Sequence, residues 1–84
     1  MHGSNRLEPL INSWKYRSSI ASLCIRKRSD GNYDLVINGD CMGVYNTPHA
    51  AADDVYCGVT GSTKWDMSPD LERPIDLGEW ERIA

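Results

Sequence analysis

The sequence predicts an α+β domain in which a three-stranded antiparallel meander packs on one α-helix. Three observations predict it. Asn38-Gly39 lies between two apolar runs, a strong two-residue hairpin signal. Ser29-Asp30-Gly31 marks a second turn one strand earlier. Thr47-Pro48 and Gly58 bracket an alanine-containing stretch with a helix start and a helix stop. The chain has 84 residues, room for one small domain but not two. A domain of this size buries roughly 60% of its unfolded surface, so each local staple counts. That excludes a two-domain dinucleotide enzyme with a cleft between its lobes.

Taken in order, residues 1–12 are polar, carry Gly3 and Pro9, and read as a flexible arm. Residues 13–84 form the domain. Trp14, Lys15, Tyr16 and Arg17 lead into the first regular segment. A two-residue turn at Asn38-Gly39 pairs Ile37 with Asp40, Leu35 with Met42 and Tyr33 with Val44. Tyr33, Leu35, Met42 and Val44 then share the inner face. Period-two alternation sends Asp34, Val36, Cys41, Gly43 and Tyr45 to the outer one.

The earlier turn admits two registers. A two-residue loop at Asp30-Gly31 sets Arg26 beside Leu35. A three-residue loop with Gly31 left-handed sets Ile25 beside Leu35, Leu23 beside Ile37 and Arg26 beside Asp34. The second matches apolar to apolar and cation to anion, so it is the expected register.

Thr47 is a good N-cap, Pro48 suits the first helical position, and Gly58 suits the position after the last. Ala51, Ala52 and Val55 form one stripe at helical spacing, small enough to lie close on the sheet. Beyond Gly58 the pattern is mostly irregular. Thr60-Gly61 turns, and Trp65 is the next anchor. Ser68-Pro69 begins a short helical turn through Leu71 and Glu72. Asp76 with Glu79 resembles a capping box for a short helix carrying Leu77, Trp80 and Ile83.

The net charge of −3 hides a polarity. Residues 1–31 sum to +4, and residues 32–84 sum to −7. The acidic half opposes a phosphate backbone, which disfavours nonspecific nucleic-acid binding over the whole surface. Cys24, Cys41 and Cys57 are an odd set without C-x-x-C spacing. They read as small apolar side chains, buried or half-buried, in a reducing cytoplasm. No apolar run approaches the roughly 20 residues of a membrane helix.

The residues Asp30-Gly31, Tyr33, Leu35, Gly39, Gly43, Tyr45, Thr47, Ala51-Ala52, Val55, Thr60-Gly61 and Trp65-Asp66 form a pattern. It resembles that of short uncharacterised bacterial and mobile-element proteins, and it brings no activity with it. The order of three strands then a helix, with Tyr45-Asn46-Thr47 at the junction, also resembles the AP2-type DNA-binding domains and the arm-type domains of phage integrases. That resemblance implies a major-groove reader using Arg, Lys and Trp on the outer sheet face. Here the face carries Arg26 and Arg28, but Asp34 sits in its middle beside Val36, Cys41 and Gly43, which offer no side-chain donors.

Candidate chemistry is sparse. His49 and Asp53 are one helical turn apart, but a zinc site wants three or four ligands. Cys57 with His49 lacks an orienting third group. Asp53 and Asp54 point about 100° apart on a helix, and Ser62 and Ser68 lack an elbow motif. No cofactor, metal or catalytic residue is therefore expected, and the chain reads as no enzyme.

Two surfaces remain. The acidic set Asp66, Asp70, Glu72, Asp76, Glu79 and Glu81 is interleaved with Trp65, Leu71, Leu77 and Trp80. The outer sheet face carries Arg26, Arg28, Asp34, Val36 and Tyr45. A basic patch, Lys15, Arg17, Arg26, Lys27 and Arg28 near Trp14 and Tyr16, is the best nucleic-acid candidate. The expected function is a small non-catalytic protein-binding module, monomer or homodimer, with a protein partner. One alternative is a phage or mobile-element inhibitor of a host defence complex, anti-CRISPR-like, its acidic surface occupying a basic nucleic-acid site. Another is a DNA-binding domain using the outer face.

Overall fold

The computed structural model describes residues 13–68 and 72–83. The expected arm at 1–12, residue Asp70 and most of the helical turn expected from Ser68-Pro69 lie outside the described residues. The architecture is α+β, with one main helix on one face of a five-stranded antiparallel sheet. The sheet is not the expected three-stranded meander: β2 (Ser22–Lys27), β3 (Tyr33–Ile37) and β4 (Asp40–Tyr45) fill three of its five positions. The other two hold β1 (Ser13–Arg17) and β5 (Glu81–Ile83). The order across the sheet is β4-β3-β2-β1-β5.

The registers between β2 and β3 follow the apolar match. Leu23 faces Ile37, Ile25 faces Leu35, and Arg26 faces Asp34. The loop that sets them is three residues long: the Arg28 N–H donates to Asn32 O at 2.7 Å, and Gly31 sits at φ 90°. Asn38 and Gly39, at φ 53° and 90°, make the mirror-image turn that suits strand twist. The Asn38 carboxamide also accepts from the Ser22 N–H at 2.9 Å, tying this turn to the start of β2.

One register departs from the expectation. Ile37 faces Asp40 and Val36 faces Cys41, but Leu35 then faces Gly43 and Tyr33 faces Tyr45. Met42 is an extra residue in β4, a bulge that reverses the alternation beyond it. Tyr45 therefore turns inward, and Val44 turns outward to stand 48% exposed. The physical reason lies at Gly43. With no side chain there, the Tyr45 ring folds over the glycine, 3.3 Å from where a Cβ would stand. It then reaches α1, where its hydroxyl donates to Asp54 Oδ2 at 2.8 Å. A straight ladder would have left the largest side chain of β4 on the open face.

Helix α1 (Pro48–Cys57) forms as its ends dictate. Thr47 Oγ1 accepts from the Ala50 N–H at 3.1 Å, and Gly58 closes the helix in the left-handed region. Ala51, Ala52 and Val55 are buried against Leu23, Ile25, Leu35 and Ile37. A short helix, α2 (Thr63–Asp66), places Trp65 in the same core, where its indole N–H donates to Val55 O at 2.9 Å.

The helix expected from Asp76 reduces to one 3-10 turn, Leu77–Glu79. Asp76 and Glu79 do cap it, accepting from the Gly78 and Ile75 N–H groups at 2.9 Å each. Gly78 weakens any longer helix by about 1 kcal/mol relative to alanine. The exposed edge of β1 offers a full set of backbone partners instead. The chain takes them, setting Ile83 opposite Ser13, Arg82 opposite Trp14 and Glu81 opposite Lys15. Trp80 is buried just before this strand, tilted against Tyr16 at 5.8 Å between ring centres. No helix among the described residues is long and apolar enough to cross a membrane.

Candidate functional site

Among the described residues all the covering elements lie on one face of the sheet. The other face is left open by them, and the strand registers give its layout. One row across the five strands reads Glu81, Lys15, Cys24, Val36 and Cys41. The next reads Ile83, Ser13, Arg26, Asp34 and Val44. Arg17 and Ser22 begin a third. The face owes its composition to plain alternation. In β1, Trp14 and Tyr16 point to the core, so Ser13, Lys15 and Arg17 point away from it.

Its charges are partly neutralised by one another. Arg28, at the end of β2, donates to Asp34 Oδ1 at 2.9 Å and approaches Asp30 Oδ2 at 3.2 Å. The Asn32 backbone N–H, and after it Arg28, hold the Asp30 carboxyl below its ordinary value. Lys15 and Glu81 are a cross-strand pair of opposite sign. Burial pushes the Cys24 thiol up, while Arg26 and Lys15 pull it down. Cys41 is exposed, with its Sγ 3.6 Å from Gly43 O and 3.8 Å from Asp34 Oδ1. The face is thus a mosaic: Val36, Val44 and Ile83 between opposed charges.

Of the residues expected on this face, Arg26, Asp34 and Val36 lie on it, and Arg28 reaches it through Asp34. Tyr45 does not, because the β4 bulge sends it to the core. Lys15, Val44 and Ile83 belong to the face and were not expected there. The alternation of Ser13 to Arg17 was the available signal for Lys15. For the parity change at Met42 the available signal was Gly43, an isolated glycine inside a strand pattern, which marks a bulge or a close approach.

The described members of the acidic set are spread over different parts of the fold, and Asp70 lies outside the described residues. Asp66 turns back on its own chain, accepting from the Thr60 N–H at 3.1 Å, the Thr60 hydroxyl at 2.8 Å and the Gly61 N–H at 2.9 Å. Asp76 and Glu79 cap the 3-10 turn. Glu81 lies on the open sheet face opposite Lys15. Glu72 is exposed. The cysteines also differ from expectation, since Cys41 and Cys57 are exposed and only Cys24 is half-buried.

His49 and Cys57 lie near opposite ends of α1, roughly 12 Å apart at 1.5 Å per residue, too far for a base and its nucleophile. Among the described residues no three His, Cys, Asp or Glu side chains converge.

Arg73 is a residue that sequence reasoning missed. Its guanidinium lies over the Trp65 ring, 5.4 Å from the centroid. It donates to Trp65 O at 2.8 Å and to Ser68 O at 3.3 Å, and reaches Tyr56 O at 3.4 Å. One side chain thus fastens the segment after α2 to the carbonyl ends of both helices. No protein family, curated protein or solved structure matches the chain.

Proposed function

We propose that the protein is a small non-catalytic protein-binding module that docks through the open face of its sheet. The observation that carries this is the one-sided cover of the sheet. α1 and the segment after it pack on one face, while Val36, Val44 and Ile83 stand among charges on the other. Apolar side chains spread across a sheet face suit a protein surface. Opposed charges at fixed spacing add orientation and selectivity.

Two other readings have less support. A DNA reader favours an unbroken cationic face, and Asp34 and Glu81 interrupt this one. An acidic decoy needs carboxylates side by side, but Glu81 lies on the open sheet face whereas Asp66 turns back on Thr60 and Gly61.

Val36→Asp combined with Val44→Asp tests the reading. Proteins captured from a native-host lysate by the unaltered chain should be lost with this variant and kept with Asp53→Ala. Cys41 should also become protected from alkylation in the complex while Cys57 stays reactive. Capture indifferent to the two aspartates, or binding transferred to duplex DNA and abolished by salt, would overturn it.

A further inference from the structure

On the opposite side of the sheet, at its β5 edge, lies a groove of about 270 Å³ lined by Trp14, His49, Leu77, Gly78 and Arg82. We propose that this groove takes the side chain of a glutamate from an extended peptide that adds to the free edge of β5. The inference is independent of the open-face reading, because the groove is on the helix side.

Three observations carry it. First, among the described residues β5 is the edge strand, with β1 on its one paired side. Its other side presents backbone donors and acceptors of the kind that recruit an added strand. Second, the groove is lined by one fixed cation, the exposed Arg82, with the exposed His49 imidazole as a further polar group; the nearby Asp76 carboxylate is engaged by the Gly78 N–H, and among the described residues the ion pairs are those of Arg28 alone. A guanidinium fork matches a carboxylate. Third, the walls are Trp14 and Leu77, apolar surfaces that suit the two methylenes of glutamate better than the one of aspartate.

The register of β5 turns these into a sequence preference. Arg82 faces the helix side with Trp14, whereas Glu81 and Ile83 face the open side. A peptide residue opposite Arg82 therefore points into the groove. Its neighbours point the other way, one beside Ile83 and one beside Glu81. Every strand pair in this sheet is antiparallel. An antiparallel addition reads, from the N-terminus, an apolar residue, then glutamate, then lysine.

The test uses the full chain, isotopically labelled, and the blocked pentapeptide Thr-Val-Glu-Lys-Thr, with a Gln-for-Glu peptide as control. The expected result is at least a roughly tenfold preference for the glutamate peptide. Amide shifts should fall on Glu81, Arg82 and Ile83 and on the Trp14 indole. Arg82→Glu should abolish the preference and His49→Gln should weaken it. Both residues are exposed, so both variants should keep the far-ultraviolet spectrum of the parent. Equal affinity for the two peptides, no binding of either at millimolar concentration, or shifts confined to other strands would overturn the proposal. So would free glutamate binding as tightly as the peptide, since strand addition would then contribute nothing.

Discussion

Tyr45 on β4 and Asp54 on α1 are joined by a 2.8 Å hydrogen bond from the phenol to the carboxylate. The bond exists because the bulge at Met42 turns Tyr45 inward and Gly43 leaves room for its ring. Tyr45→Phe should destabilise the fold by about 1.5–3 kcal/mol, since the acceptor is a carboxylate. A shift of the urea midpoint at unchanged slope checks this.

The same contact sets an alkaline limit. Burial first, then the Asp54 carboxylate, pushes the Tyr45 phenol up to about 12 from an ordinary 10.0. The folded state holds this proton more tightly than the unfolded chain. Its contribution is therefore complete below pH 10 and is lost as pH rises from 10 towards 12. Absorbance at the tyrosinate band should show late ionisation for Tyr45, and for Tyr16, which burial also raises. Tyr45→Phe should flatten the fall in stability across that window.

Gly43→Val should be costly although valine favours strands. The added side chain meets the Tyr45 ring, and relieving such overpacking takes about 1–3 kcal/mol. Displacing the ring already breaks the bond to Asp54. The double variant Gly43→Val with Tyr45→Phe should therefore cost less than the two single changes added together.

Arg73→Met should loosen the segment after α2. It removes a charged donor from the carbonyls of Tyr56, Trp65 and Ser68, a loss of about 2–3 kcal/mol. Arg73→Lys should recover only part of it, because an ammonium lacks the planar fork and stacks less well on Trp65. Limited proteolysis should cut first after α2 in both variants, and faster in the methionine one.

Trp80 separates volume from hydrogen bonding. It is buried, yet its indole N–H has no partner among the described residues. Trp80→Phe should therefore cost far less than Trp80→Ala, for which a cavity of this size predicts about 3–5 kcal/mol. Equal losses in thermal unfolding would mean that the indole N–H, not the ring volume, is what matters.

Much of this fold is local and could be read along the chain. Asn38-Gly39, Gly31, Thr47 and Gly58 act within a few residues, through φ preference or one short hydrogen bond, so residue type alone predicts their effect. The β2–β3 register followed too, because only one alignment buries Leu23, Ile25, Leu35 and Ile37 together. Tertiary structure decided the rest. Ser13 and Ile83 meet across nearly the whole chain, through backbone groups that every residue but proline carries, so no side chain names the partner edge. The bulge at Met42 turns Tyr45 toward α1, and the contact it makes there exists only once the helix has docked. The outer face thereby exchanged Tyr45 for Val44 and gained Lys15 and Ile83, which is why the candidate surface was only half visible before the sheet was assembled.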